Sequence, residues 1–400
     1  MDPIRNPFAP GAGAPPPELV GREALLEQAG ILFQRAIAGR SAKSFIAIGL
    51  RGVGKTVILN KVGDIAKGLH YRVCQIEAHE KKPLPLLLVP HLRRLLLDLD
   101  RLDALSEQVK RGLRVLKSFA SGLTLRYGDA ELQLDVDPEV GAADSGDLEA
   151  DLPELIVALG RAAASRKVAI ALIVDEIQYL RERDMSALIM SLHRVMQEAL
   201  PVVLVAAGLP QVVALSGRSK SYAERLFDFI AVGALSPADA RRALLEPARA
   251  EGVIFTDAAL DAIVATTEGY PYFLQEWGYQ SWNAASDNRI ELADVEAATG
   301  RAIAMLDSGF FRMRYDRLTP RERDYCQAMA ASGTGIHRSG NIAQRLGARV
   351  QAVGPLRDGL IRKGVIYSPA HGDTAFTVPL FEQFLARIQA VPPATPRSTS

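Results

Sequence analysis

Residues 49 to 56 read Gly-Leu-Arg-Gly-Val-Gly-Lys-Thr, a G-x-x-x-x-G-K-[ST] loop set between the apolar run Phe45 to Ile48 and a helix-forming stretch from Val57 to Ala66. A loop of this kind joins a buried strand to a helix N-terminus, where unpaired N–H groups and the helix dipole face an anion. It therefore commits the first half of the chain to strand–loop–helix units. Gly49, Gly52 and Gly54 let the backbone wrap phosphates without Cβ clashes. Lys55 is placed to reach the β and γ phosphates and the Thr56 hydroxyl to hold Mg²⁺, with Arg51, Val53 and Val57 as the remaining candidate contacts of the loop. The implied ligand is a nucleoside triphosphate.

A second signature lies downstream, at Ala171-Leu172-Ile173-Val174-Asp175-Glu176. A buried strand ending in Asp brings a carboxylate to the phosphate loop, where Asp175 would join the metal shell. The adjacent Glu176 would polarise the attacking water as general base. Strands are expected at Phe45 to Ile48, Arg72 to Ile76, Val168 to Val174 and Val202 to Ala206, alternating with helices as in a parallel sheet.

Four hundred residues exceed one compact core, so two or three domains are expected. The net charge of +1 gives no global case for nucleic acid or a membrane. Cys74 and Cys326 are too few for a disulfide framework or a thiolate zinc site, and the six histidines show no metal spacing. The N-terminus lacks the apolar core of a signal peptide and no apolar run approaches a membrane span, so a cytoplasmic protein is expected.

Residues 1–17 read as a flexible Pro-rich arm and 391–400 as a disordered tail. Residues 18–235 form the expected nucleotide-binding core, interrupted at about 80–160. There, Ser121 to Pro138 alternates around Gly128-Asp129 like a β-hairpin, and Asp129 to Glu154 carries ten acids without Lys or Arg, read as a solvated excursion. Residues 236–310 turn helical, opening on Ser236 as N-cap and Pro237 as first helical residue. Residues 311–390 read as three helices and a two-stranded wing. They begin with the capping box Thr319-Pro320-Arg321-Glu322 and end in strands around Ala370 to Asp373.

With these elements in place, the chain resembles the AAA+ ATPases, in the branch shared by origin-recognition initiators, archaeal-type ATPases and STAND signalling ATPases. The resemblance implies an α/β P-loop core of parallel sheet and flanking helices, a helical lid and a C-terminal winged helix. It implies that Leu19-Val20-Gly21-Arg22-Glu23 packs against adenine, giving Gly21 and Arg22 as nucleotide contacts. Arg225, in Ser221 to Phe227, stands where the family carries an arginine finger; a surface arginine on an amphipathic helix is the equal reading. Gly269-Tyr270-Pro271-Tyr272 resembles the GxP element of STAND lids, which makes Pro271 a nucleotide contact. Departures from the family pattern are an absent lid arginine near Tyr272 and an absent polar residue after Val202 to Ala206, where Ala207-Gly208 stands. The first leans towards a STAND-like lid, and the second implies slow turnover, suited to a switch.

Residues 312–390 hold twelve Arg or Lys against six Asp or Glu. In the third helix, read from Gly354-Pro355 to Lys363, Leu356, Leu360 and Ile361 would face inward. Arg357, Arg362 and Lys363 would then be free for a major groove, without a base-reading Asn or Gln. The expected activity is a slow Mg-dependent ATPase, bound to ATP or ADP. Duplex DNA is the expected partner through 312–390, together with ATP-dependent self-assembly. The other reading is a STAND-type signalling ATPase whose winged helix contacts protein.

Overall fold

The computed structural model describes residues 1–11, 19–40, 42–100, 106–127, 136–370 and 372–390. The chain divides into two compact bodies: Leu19–Gly49 with Gly54–Gly233, and Met1–Glu18 with Leu50–Val53 and Ala234–Ser400.

In the first body α1 (Glu23–Ile37) precedes β1 (Ser44–Ile48), and α2 (Lys55–Gly68) leads into β2 (Arg72–Glu77). Three helices, α3 (Leu84–Asp100), α4 (Glu107–Tyr127) and α5 (Leu148–Ser165), come before β3 (Ile170–Asp175). Then α6 (Glu182–Gln197) leads to β4 (Val202–Gly208), and α7 (Val212–Ser219) and α8 (Ala223–Leu226) to β5 (Phe227–Ala231). All strand pairs are parallel, in the order β2-β3-β4-β1-β5. β3 and β4 are buried along their whole length, as the unbroken apolar runs Ile170–Val174 and Val202–Ala207 require of strands covered on both faces. Four strands stand where the apolar runs predict them. β5 was not foreseen: it is a half-buried edge strand in which Asp228 breaks the apolar pattern.

The predicted hairpin at Ser121 to Pro138 is corrected. Ser121 to Tyr127 are the end of α4, while 128–135 lie outside the described residues. Val109, Leu113, Leu116 and Ala120 of α4 are buried at helical spacing, so packing on the neighbouring helices overrides the local alternation. The acidic segment, where described, is not a solvated excursion either. Glu139 pairs with Arg111 at 2.8 Å and Arg114 at 3.2 Å, Asp147 with Arg183 at 2.7 Å, and Glu149 with Lys220 at 3.0 Å. Asp151, 6% exposed, accepts from the N–H groups of Ser145 and Gly146. Three of the acids pair with cations far off in sequence, and Asp151 is satisfied by nearby backbone N–H groups.

In the second body α9 (Pro237–Ala250), α10 (Asp257–Thr267), α11 (Pro271–Ala284) and α12 (Leu292–Met305) form the lid, with β6 (Ile254–Phe255) pairing in parallel with β7 (Arg289–Ile290). Ser236 Oγ accepts from Asp239 N–H at 3.1 Å, the expected cap. Trp277 and Trp282 are core residues, Trp277 donating to Thr299 Oγ1 at 3.2 Å. The start of the chain is not the expected flexible arm. The Met1 amino group donates to Ala285 O at 2.6 Å, Trp282 Nε1 donates to Asp2 O at 2.9 Å, and Phe8 is 2% exposed. Gly278 makes the room, because a Cβ there would lie 2.7 Å from Phe8 Cδ1. Phe8→Ala is expected to lower stability by about 3 kcal/mol, the usual loss for a buried Phe, read as a fall in the chemical-denaturation midpoint at unchanged slope.

The π-helical turn Leu306–Phe311 runs into α13 (Arg312–Asp316), and then α14 (Pro320–Ala330) opens on the predicted capping box. β8 (His337–Arg338), α15 (Ser339–Arg345), α16 (Val350–Arg362), β9 (Ile366–Tyr367), β10 (Asp373–Phe376) and α17 (Phe381–Ala390) follow, with the strands ordered β8-β10-β9. Three helices followed by the β9–β10 pair are the expected elements, with β8 added to the sheet. α16 starts four residues before the predicted Gly354, so the helix contains a glutamine after all, with Gln351 exposed in its first turn. Its buried residues are Val353 and Leu360, with Leu356 and Ile361 only partly covered. Arg357 is not free for a groove: it donates to Thr374 Oγ1 at 3.2 Å and Asp373 O at 3.1 Å. Lys363 donates to Glu322 at 2.6 Å and to Arg317 O at 3.0 Å. Of the three predicted cations only Arg362 is exposed. Among the described residues no helix is long and apolar enough to cross a membrane.

Candidate nucleotide site

The strand order brings the loop after β1 and the acids after β3 to the same end of the sheet, with β4 between them. Gly49 N–H donates to Gly208 O at 3.1 Å, tying the start of the loop to the end of β4. Gly52 and Gly54 adopt φ of +86° and +90°, left-handed values that a side chain would strain. Gly54 is the N-cap of α2, and the first helical bond runs from Ile58 N–H to Gly54 O at 3.0 Å. The first turn of α2 thus presents the positive end of its dipole at the loop. Lys55 is 6% exposed and donates from Nζ to Gly49 O at 3.0 Å.

Thr56 Oγ1 donates to Asp175 Oδ2 at 2.6 Å, which joins the two sequence signatures. Glu176 N–H donates to Asp175 Oδ1 at 2.8 Å. Asp175 is 7% exposed, and burial pushes its carboxyl above the usual range against the opposing pull of the Thr56 hydroxyl and the Glu176 N–H. Mg²⁺ demands hard oxygen donors and keeps most of its shell as water and phosphate oxygens. Thr56 and Asp175 fit that role, and among the described residues no cluster of three or more His, Cys, Asp or Glu offers another metal site.

Glu176 holds a left-handed backbone, φ +51°, at the start of the 3₁₀ turn Ile177–Tyr179. Its carboxylate accepts from Gln178 Nε2, and Gln178 Oε1 in turn accepts from Leu209 N–H at 3.0 Å. Gln178 escaped the sequence reading. The local signal is only a polar residue in an otherwise apolar stretch, and its partners come from the end of β4.

The loop tip, Leu50–Val53, belongs to the second body. Tyr272 N–H donates to Gly52 O at 3.2 Å, and a Cβ on Gly52 would lie 2.9 Å from Tyr270 Cε1. Pro271, between those tyrosines, is the first residue of α11. The Gly269-Tyr270-Pro271 element therefore meets the loop tip. Gly269 has φ +68°, and a Cβ there would collide with the Leu235 carbonyl. Arg314 was also missed. Its guanidinium lies 3.8 Å from the Phe310 ring centroid, burial and the Arg51 charge push it down to about 10, and among the described residues no carboxylate pairs with it. It falls beyond the lid helices, where motif spacing says nothing.

Gly21 takes φ +70° ahead of α1, and Arg22, the N-cap of α1, donates to Gly233 O at 2.5 Å. Val53 is buried and Val57 partly so. Arg225 is exposed on α8, has no ion-pair partner among the described residues, and does not join the Thr56–Asp175–Glu176 network.

Residues 18–205 match a family model described as an AAA ATPase domain, and residues 308–385 match a domain of unknown function (DUF8462). No curated protein matches the sequence. Among solved structures, the chain is similar to the Walker-type ATPase PABY2304 of Pyrococcus abyssi. That likeness has 15% identity, covers 92% of this chain and 96% of that one, and has a TM-score of 0.55. The ORC1 protein of Aeropyrum pernix in complex with DNA is 14% identical over 93% and 94%, with a TM-score of 0.45. Cdc6p of Pyrobaculum aerophilum is 17% identical over 98% and 97%, with a TM-score of 0.46. The first likeness speaks to the fold, and the other two add nothing to it. The family match takes in the phosphate loop, both acids and β1 to β3, so residues 18–205 are similar to an AAA ATPase domain and carry a P-loop fold.

Proposed function

We propose that the protein binds ATP with Mg²⁺, hydrolyses it slowly, and uses the nucleotide state as an assembly switch for DNA engagement by its C-terminal domain. The carrying observation is the 2.6 Å Thr56–Asp175 hydrogen bond, which joins loop and acid pair beside Glu176. Lys55, with the N-terminal end of α2, would bind the β and γ phosphates, and the Gly21–Arg22 element the adenine side. Mg²⁺, held by Thr56 and Asp175, would offset charge on the phosphate oxygens. Glu176 would take the proton of the attacking water. Gly208, at the end of β4, has no side chain to offer the terminal phosphate, which supports slow turnover. Arg225, exposed on α8, would act on the nucleotide of a neighbouring copy, so turnover would rise with assembly.

For DNA, the N-terminal end of α16 supports the reading better than its C-terminal end. Arg349 and Gln351 are exposed there, as is Arg345 at the end of α15, and helix-turn-helix proteins read bases with that end of the recognition helix. The internal bonding of Arg357 and Lys363 favours the other reading, a winged helix that contacts protein. Fluorescence anisotropy on a labelled duplex tests this between about 50 and 200 mM salt. Binding should weaken steeply with salt. Arg345→Ala combined with Arg349→Ala should flatten the log–log slope by about 2, because each arginine neutralises one phosphate. No binding at low salt would reject the DNA reading in favour of protein contacts.

A further inference from the structure

We propose that Gln178 is the positioning residue for Glu176 and occupies the place of the polar side chain that the end of β4 lacks. This rests on the hydrolytic reading above. Position 208 cannot carry a side chain: a Cβ there would meet Val212 Cγ2 at 2.6 Å, Gln178 Oε1 at 2.8 Å and Ile177 Cγ2 at 2.9 Å. The space is already filled from below by the 3₁₀ turn, and the polar atom in it is the carboxamide oxygen of Gln178.

The orientation of that carboxamide follows from its partners. Leu209 N–H, a backbone group, can only donate, so the oxygen of Gln178 faces it at 3.0 Å. The Nε2 end must then face Glu176, where it donates to Oε2. Glu176 has a left-handed backbone that a non-glycine residue adopts at a cost of roughly 1 kcal/mol or more. Tyr179 N–H to Glu176 O at 3.0 Å and Leu180 N–H to Ile177 O at 3.1 Å close the turn that keeps it there. One carboxylate oxygen is thereby fixed, while Oε1 accepts no hydrogen bond among the described residues. Oε1 is the atom left to receive the proton of water as its oxygen bonds to the γ phosphorus. The bond from that phosphorus to the β–γ bridging oxygen breaks, and ADP and inorganic phosphate leave.

The test compares Gln178→Leu and Gln178→Glu with the wild type, measuring kcat, ATP affinity and melting temperature. Gln178→Leu should lower kcat by about 100-fold, the effect of misplacing a catalytic group by an ångström, with ATP affinity and melting almost unchanged. Gln178→Glu, which keeps the shape but removes the donor, should lose as much. In a Glu176→Gln background Gln178→Leu should cost nothing further, since both act on one step. Unchanged kcat in Gln178→Leu, or a loss of affinity and melting temperature in parallel with kcat, would overturn the assignment. A wild type that binds ATP without turning it over would remove the hydrolytic reading, and this inference with it. Turnover retained in Gln178→Leu removes the inference alone.

Discussion

Glu176→Gln is expected to cut ATP turnover by about 10²- to 10⁴-fold, the range for losing a general base, while ATP still binds. The amide cannot take a proton from water, yet it has nearly the shape of the carboxylate and can still meet Gln178 through its oxygen. The metal and phosphate contacts assigned to Thr56 and Asp175 should persist, because the hydrogen bond from Glu176 to Asp175 comes from its backbone N–H, at 2.8 Å, which the substitution keeps. Steady-state phosphate release should therefore fall to near background, while calorimetry reports an affinity close to that of the wild type. A variant that still turns over at a tenth of the wild-type rate would show that another group activates the water. If ATP also drives self-association, the variant should hold the assembled state longer, visible as a persistent larger species in size-exclusion chromatography with ATP.

Lys55→Ala acts one step earlier. Lys55 is 6% exposed at the first position of α2, and its Nζ lies 3.0 Å from Gly49 O, inside the curve of the loop. Bound phosphates would draw the ammonium into charge-assisted hydrogen bonds, the strong class, contributing about 3 kcal/mol together. That loss corresponds to roughly a hundredfold in Kd. The ATP-induced rise in melting temperature should shrink with it, since a ligand stabilises only in proportion to its occupancy of the folded state. The melting temperature without ATP should change little. An unchanged ATP-induced shift in Lys55→Ala would place the nucleotide elsewhere on the protein. The two variants separate binding from chemistry: Lys55→Ala loses both, and Glu176→Gln loses only the second.

Much of the fold and most of the candidate site were legible in the sequence, for local physical reasons. A phosphate loop is one continuous segment, with its glycines where the backbone turns left-handed, as Gly52 and Gly54 do at φ +86° and +90°. Strands β1, β3 and β4 are apolar runs because both faces are buried, and the capping box at Thr319 and Glu322 is written within four residues. Each feature is carried by neighbours along the chain, so its pattern survives in the string of letters.

The misses share an opposite property. The segment Ser121 to Tyr127 alternates like a strand, but it lies in a helix whose burial is set by other helices. The Pro-rich start reads as an arm until Phe8 finds the gap over Gly278, 270 residues away. Arg357 and Lys363 look free on a helical wheel and are bonded to β10 and α14. Three of the acids that look solvated as a run, Glu139, Asp147 and Glu149, have cations brought from elsewhere in the chain.

Sequence alone determined where the G-x-x-x-x-G-K-T loop lies, which strand ends in the acid pair, and that largely helical segments follow the sheet. Tertiary structure decided what holds Glu176. Gln178 is two residues from Glu176, to which it donates, but it is anchored to Leu209, a residue on the neighbouring strand's exit. Hydrogen bonds and close packing act through space, between residues whose separation along the chain follows no period, and only the folded backbone brings them within 3 Å.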